Sequence, residues 1–292
     1  MLIKHLVIIG VGLIGGSLAR RLRQEKVVQR ITGVGRGKAN LEKAVELGVI
    51  DAWTHSVSEA ISDADMVVIC VPMGAYATVF QGMANTLAEH AVVTDAGSTK
   101  QYAIDLAEKH LPKSAQFVAG HPIAGTEHSG VEASFSSLYQ DHYCLITPTS
   151  SNSDKAVSAV KDMWKHTGAK VICMPPDEHD LLLASVSHLP HLAAYALVNA
   201  VRKSALDAKQ PFQFAAGGFR DFTRIASSSP QMWCDIAQSN QAALLQKMDA
   251  LIAEMQAMRQ NIADGNVQAL YDDFTQAKQA RDLWLAEHGE KH

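Results

Sequence analysis

The segment His5–Gly16, H-L-V-I-I-G-V-G-L-I-G-G, decides the fold. Its first five residues, His5–Ile9, are mostly branched and apolar and read as a strand buried on both faces. The run Ile14–Arg23 that follows reads as a helix. Between the two, Gly10, Gly12 and Gly15 are spaced G-x-G-x-x-G. The first glycine permits a tight turn, the second admits a phosphate close to the backbone, and the third lets helix approach strand. The helix start offers free N–H groups and the positive end of its dipole. Glycines at this spacing are a weak signal alone, but strand before and helix after make them a dinucleotide-binding turn. Gly10, Gly12, Leu13, Ile14 and Gly15 are the residues expected to carry it.

Working outward, the second strand Arg30–Val34 continues into G-R-G-K, residues 35–38. A site preferring NAD usually ends this strand with an acid that bonds the ribose hydroxyls. Here Gly35 stands in that place, with Arg36 beside it and Lys38 two residues on. Loss of the carboxylate removes repulsion against a 2′-phosphate, and two cations can pair with one. The expectation is NADP as preferred cofactor, with NAD as the alternative.

A helical stretch, Leu41–Leu47, follows. Further β-rich runs come at Met66–Val71, Ala91–Thr94, Phe117–Ala119, Tyr143–Thr147 and Lys170–Met174, with helix-like segments between most of them. That alternation predicts an α/β fold: an N-terminal Rossmann-type, doubly wound parallel sheet over residues 1–174. At Pro175-Pro176 the character changes, and residues 175–292 read as an all-helical C-terminal dimerisation domain. Asp177–Ala205 is one helical pattern, with a kink expected at Pro190. Gln231–Asn261 is another, and Val267–Leu285 a last one before a frayed tail, Glu287–His292. Leu244, Met248, Leu251, Met255 and Met258 recur at steps of four and three, a narrow seam that packs on its own domain or on a second subunit.

Composition sets the class. Of 292 residues, 47% are hydrophobic and 19% charged, with a net charge of -4, so neither nucleic acid nor an anionic membrane is indicated. Four widely spaced cysteines, Cys70, Cys144, Cys173 and Cys234, show no metal spacing and read as small core residues of a reducing compartment. The opening residues lack the length of a secretory signal, and no run approaches the roughly 18 apolar residues of a membrane span. A cytoplasmic, soluble protein is expected, and no metal.

Three segments carry chemistry. D-A-G-S-T-K (Asp95–Lys100) and G-H-P-I-A-G-T-E-H-S-G (Gly120–Gly130) each follow an apolar strand, at the sheet edge where ligands bind. G-G-F-R-D-F-T-R-I-A (Gly217–Ala226) lies in the helical half. With G-V-G-L-I-G-G-S-L and S-H-L-P-H they occur in an order that resembles the prephenate/arogenate (cyclohexadienyl) dehydrogenase family of tyrosine biosynthesis. The resemblance spans most of the chain. It implies oxidative decarboxylation of a cyclohexadiene substrate, a small molecule: hydride passes to the nicotinamide, carbon dioxide leaves, and the ring becomes aromatic. Arogenate and prephenate are not told apart by any residue.

By the same resemblance His121 is the catalytic histidine facing the 4-hydroxyl, and Ser98 orients it. Arg224 binds a substrate carboxylate, His191 lines the pocket, and Thr126 and Glu127 border it. Imidazole suits the first task because it accepts a proton near neutral pH; guanidinium suits carboxylate by bidentate pairing. Arg220 is left open between substrate and neighbouring subunit, and His188 reads as structural. The active site is expected between the two domains, with a homodimer formed through the helical one. A β-hydroxyacid dehydrogenase is the rival enzyme, but it needs a catalytic lysine where this chain has G-G-F-R-D-F-T-R. A redox-sensing NADP-binding protein, the non-enzymatic rival, would not need Ser98, His121 and Arg224 together.

Overall fold

The computed structural model describes residues 2–126, 128–204 and 211–288. Eight strands form one sheet: β1 (Ile3–Ile9), β2 (Val28–Val34), β3 (Ala52–Thr54), β4 (Met66–Ile69), β5 (Val92–Asp95), β6 (Gln116–Pro122), β7 (Tyr143–Thr147) and β8 (Lys170–Cys173). Their spatial order is β3-β2-β1-β4-β5-β6-β7-β8. β1 therefore pairs with β2 on one side and β4 on the other, which opens a crevice at its carboxyl end.

Helices α1 (Leu13–Gln24), α2 (Lys38–Glu46), α3 (Val57–Ala60), α4 (Tyr76–Met83), α5 (Gln101–His110) and α6 (Asp154–His166) cover the sheet. Leu6 and Ile8 of β1 pack with α1, α2 and α6 in one core, while Val7 and Ile9 pack with α3, α4 and α5 in the other. Two-sided burial explains why the strands read as unbroken apolar runs rather than as alternating ones.

The sheet departs from the expected all-parallel arrangement in one pair, since β6 and β7 run antiparallel. The described residues between them form turns and no crossover helix, so the chain simply reverses. β3, three residues long, is too short to leave a sequence pattern.

The second half holds α7 (Pro176–Leu183), α8 (Leu189–Lys203), α9 (Gly217–Thr223), α10 (Pro230–Ser239), α11 (Gln241–Ala263) and α12 (Val267–His288). Pro176 starts α7 at a position where its missing N–H costs nothing. Just before Pro190, where a kink is expected, the helix widens into a π-helical turn, Ala184–His188, which accommodates a residue with no N–H to give. The single helix expected over Gln231–Asn261 breaks at Asn240, which leaves helical geometry at φ -123° and ψ 37°. Packing divides the chain into two compact units, Met1–Gln241 and Ala242–His292.

Two smaller expectations also change. Of the four cysteines only Cys144 is fully buried, whereas Cys173 and Cys234 are exposed: β8 lies at the sheet edge, and Cys234 faces out from α10. The continuous helix Pro176–Lys203, 28 residues long, contains an 18-residue window of mean hydropathy 1.5 and so reaches the length and composition of a membrane span.

Candidate active site

Gly10 closes β1 with φ at +98°, and a Cβ there would sit 2.4 Å from the Cys70 carbonyl oxygen, so only glycine fits. A Cβ on Gly15 would lie 2.3 Å from the Gly10 carbonyl oxygen, which locks α1 against the turn. Gly12 differs: a Cβ added there meets nothing within 4 Å. It caps α1 with no side-chain hydrogen bond, so the helix start presents bare backbone N–H groups to open space. Leu13 is buried and Ile14 half-buried behind the turn. This cradle fits a dinucleotide pyrophosphate. Arg36 and Lys38 stand exposed past β2, Lys38 paired at 3.6 Å with Glu42 of its own helix.

The next strand ends are tied together by a buried ion pair. Lys100 Nζ donates to Asp95 Oδ2 at 2.5 Å and to the Gly120 carbonyl at 2.6 Å, and both side chains are wholly inaccessible. Asp95 also accepts from Tyr76 Oη at 2.8 Å and from the N–H groups of Gly97 and Gly120 at 3.0 and 2.8 Å. Burying two charges is costly, and these bonds are what offset the cost. Burial, reinforced by the adjacent Asp95 carboxylate, holds the Tyr76 hydroxyl well above its ordinary range. The pair thus clamps the Ser98 loop to the strand that carries His121.

His121 stands near the carboxyl end of β6, on the same sheet edge as the glycine turn. Its Nδ1 lies 2.9 Å from Nε2 of His179, and His179 Nδ1 lies 2.8 Å from Asp180 Oδ1. Asp180 also accepts from the backbone N–H groups of Lys100 and Gln101 at 2.8 and 3.0 Å, completing the start of α5. Burial chiefly, and then His179, Lys100 and His188 around it, hold the His121 imidazole well below its usual range. His179, fully buried, is also lowered, burial outweighing the upward pull of Asp180. Both rings are neutral near pH 7.

The helical half supplies a second group of side chains. His191 donates Nδ1–H to the Ser187 carbonyl at 2.8 Å and stacks on Trp233, centroids 3.8 Å apart. Burial lowers its basicity, and the positive charge of Arg224 lowers it further. Arg224 itself is exposed at the start of a 3-10 turn. His188 is buried and pushed down to about 4, mainly by burial. Its Nδ1 accepts from Asn240 Nδ2 at 3.2 Å, and its Nε2 is buried with no partner among the described residues.

Of the residues singled out in the sequence, His121 pairs with His179, His191 stacks on the Trp233 that also meets His188, and Arg224 is near enough to His191 to lower its basicity. Ser98 is half-buried on its loop and makes no hydrogen bond to His121 among the described residues. Thr126 is exposed and accepts from the His128 N–H at 3.3 Å. Glu127 lies outside the described residues. Arg220 is exposed and pairs with Asp221 at 3.1 Å. Sequence reasoning passed over His179, Asp180, Lys100, Asn240 and Trp233. The one available signal was the pair His179-Asp180 at the point where the polar first turn of α7 gives way to an apolar run.

A glycine cradle for a dinucleotide, beside a half-buried neutral histidine, defines a nicotinamide-dependent dehydrogenase. Family models described as the prephenate dehydrogenase nucleotide-binding domain and dimerization domain match residues 18–173 and 175–276. The chain belongs to the prephenate dehydrogenase family. It is 37% identical over 278 residues to the prephenate dehydrogenase of Bacillus subtilis, covering 95% of this chain and 75% of that one. It is 34% identical over 286 residues to the cyclohexadienyl dehydrogenase of Zymomonas mobilis, covering 98% and 97%. The crystal structure of Aquifex aeolicus prephenate dehydrogenase, in complex with hydroxyphenyl propionate and NAD+, superposes with a TM-score of 0.91 at 34% identity, covering 96% of this chain and 98% of that one. The chain is an oxidoreductase, and the β-hydroxyacid dehydrogenase reading is not favoured.

Proposed function

We propose that the chain oxidatively decarboxylates prephenate, arogenate or both, giving 4-hydroxyphenylpyruvate or tyrosine, with NADP preferred to NAD. One observation carries the reading: His121 is held neutral, with Nδ1 engaged by His179 and Nε2 making no hydrogen bond among the described residues. A neutral imidazole with one free nitrogen is a base for the substrate hydroxyl. When bound, the nicotinamide supplies the hydride acceptor; Gly10, Gly12, Leu13, Ile14 and Gly15 hold its pyrophosphate. Arg36 and Lys38 meet the 2′-phosphate, supported by the absence of an acid at Gly35. Ser98 orients the hydroxyl toward His121. Arg224 pairs with a substrate carboxylate, His191 lines the pocket, and Thr126 and Glu127 border it.

In this reading residues 1–174 bind cofactor and residues 175–292 bind substrate and dimerise. The protein is cytoplasmic, with neither nucleic acid nor membrane as partner. The exposed apolar face of Pro176–Lys203 is a subunit face, since the same helix buries His179, Asp180 and His188. Turnover of both substrates with both cofactors is the test. NADP should give at least about tenfold higher kcat/KM than NAD, the worth of one charge-assisted contact. Equal efficiency, or a preference for NAD, removes the cofactor assignment, and turnover of neither substrate removes the function.

A further inference from the structure

Carboxylate, imidazole and imidazole lie in line here: Asp180 Oδ1, 2.8 Å to His179 Nδ1, then His179 Nε2, 2.9 Å to His121 Nδ1. The direction of the bonds in this line is forced. Asp180 takes two backbone N–H groups besides His179, so its oxygens act as acceptors. His179 must then carry its proton on Nδ1. Its other nitrogen, Nε2, is left with a lone pair and can only accept, so His121 must carry its own proton on Nδ1. The lone pair of His121 is thereby fixed on Nε2.

We propose that His179 and Asp180 are positioning residues that set the tautomer of His121 and steady it when it becomes charged. The proposal rests on His121 being the base. As hydride leaves the carbon bearing the hydroxyl for the nicotinamide, the hydroxyl proton passes to His121 Nε2. The bond to the departing carboxylate breaks, carbon dioxide leaves, and its electron pair enters the ring, whose oxygen recovers the proton from His121 as the phenol. While His121 holds that proton, its Nδ1–H strengthens its bond to His179, and Asp180 answers the charge one ring away.

The arrangement also explains how a half-buried histidine close to a lysine can serve as a base. Burial first, and then the Lys100 charge, oppose a positive charge on His121. Asp95 is committed to Lys100, which among the described residues leaves Asp180, through His179, as the carboxylate able to compensate. A purely structural His179 would not need its Nε2 aimed at His121.

The test compares the unchanged protein with His179→Leu, His179→Gln and His121→Asn, measuring kcat, substrate KM and cofactor Kd. His179→Leu should lower kcat about 100-fold or more, with KM and Kd within about threefold, since an orienting partner acts on the base and not on binding. His179→Gln places an amide oxygen where it can accept the His121 N–H, and should recover at least about tenfold of that loss. His179→Leu within about threefold of the unchanged kcat overturns the proposal, as does a glutamine variant no better than leucine. If His179→Leu does not fold, 15N-histidine NMR of the unchanged protein decides: a His121 proton on Nδ1 supports the relay, and one on Nε2 overturns it. Failure of the base reading looks different, because His121→Asn would then keep its turnover.

Discussion

At Gly10 an added methyl would strike the Cys70 carbonyl at 2.4 Å, whereas at Gly12 it would meet nothing within 4 Å. The first glycine is therefore required by the fold, whereas the second is not, which fits the ligand role proposed for it. Gly10→Ala forces a side chain into φ +98° and against backbone, and should lower stability by about 2 kcal/mol or more. Gly12→Ala should leave Tm within about 2 °C, because no contact changes, yet weaken nicotinamide cofactor binding about tenfold or more. Thermal melts and fluorescence titration separate the two. A Gly12→Ala protein that binds cofactor normally would remove the phosphate site from this turn.

At the scale of elements, α11 and α12 pose a burial problem. Ile252, Met255 and Ile262 of α11 are 47%, 62% and 63% exposed, as are Val267, Tyr271 and Phe274 of α12 at 73%, 66% and 53%. The unit Ala242–His292 is too short to enclose so many large apolar groups by itself. Of the seam noted in the sequence, Leu244 is buried, while Met255 and Met258 stay exposed. We read these faces as the homodimer contact, consistent with the dimerization-domain match over residues 175–276. Light scattering should give twice the 31.5 kDa chain mass. Met255→Glu combined with Ile262→Glu should yield monomer, because charges in an apolar interface core are strongly unfavourable. A monomeric unchanged protein contradicts the assignment.

For the whole molecule, the sheet is legible because burial on both faces leaves continuous apolar runs, such as Met66, Val67, Val68 and Ile69 in β4. Gly10 to Gly15 add the punctuation between strand and helix. The antiparallel turn into β7 is not legible, since nothing in residues 123–142 marks a missing crossover helix except the want of a pattern. Nor is the break at Asn240, because its cause is distant in sequence: the side chain donates to the Asp180 carbonyl and to His188. His121 and His191 stand out through the motifs around them. His179 and Asp180 do not, because their meaning lies in a contact 58 residues away in sequence, between His121 and His179.

The central claim is that His121 is the base of an oxidative decarboxylation. Its most direct test is steady-state turnover of prephenate and arogenate by His121→Asn beside the unchanged protein, with cofactor Kd measured on the same samples. The account predicts a fall in kcat of about 10²- to 10⁴-fold, the range for loss of a general base, with cofactor Kd changed by less than about threefold. Turnover by His121→Asn within about tenfold of the unchanged protein, at undiminished cofactor binding, would contradict it.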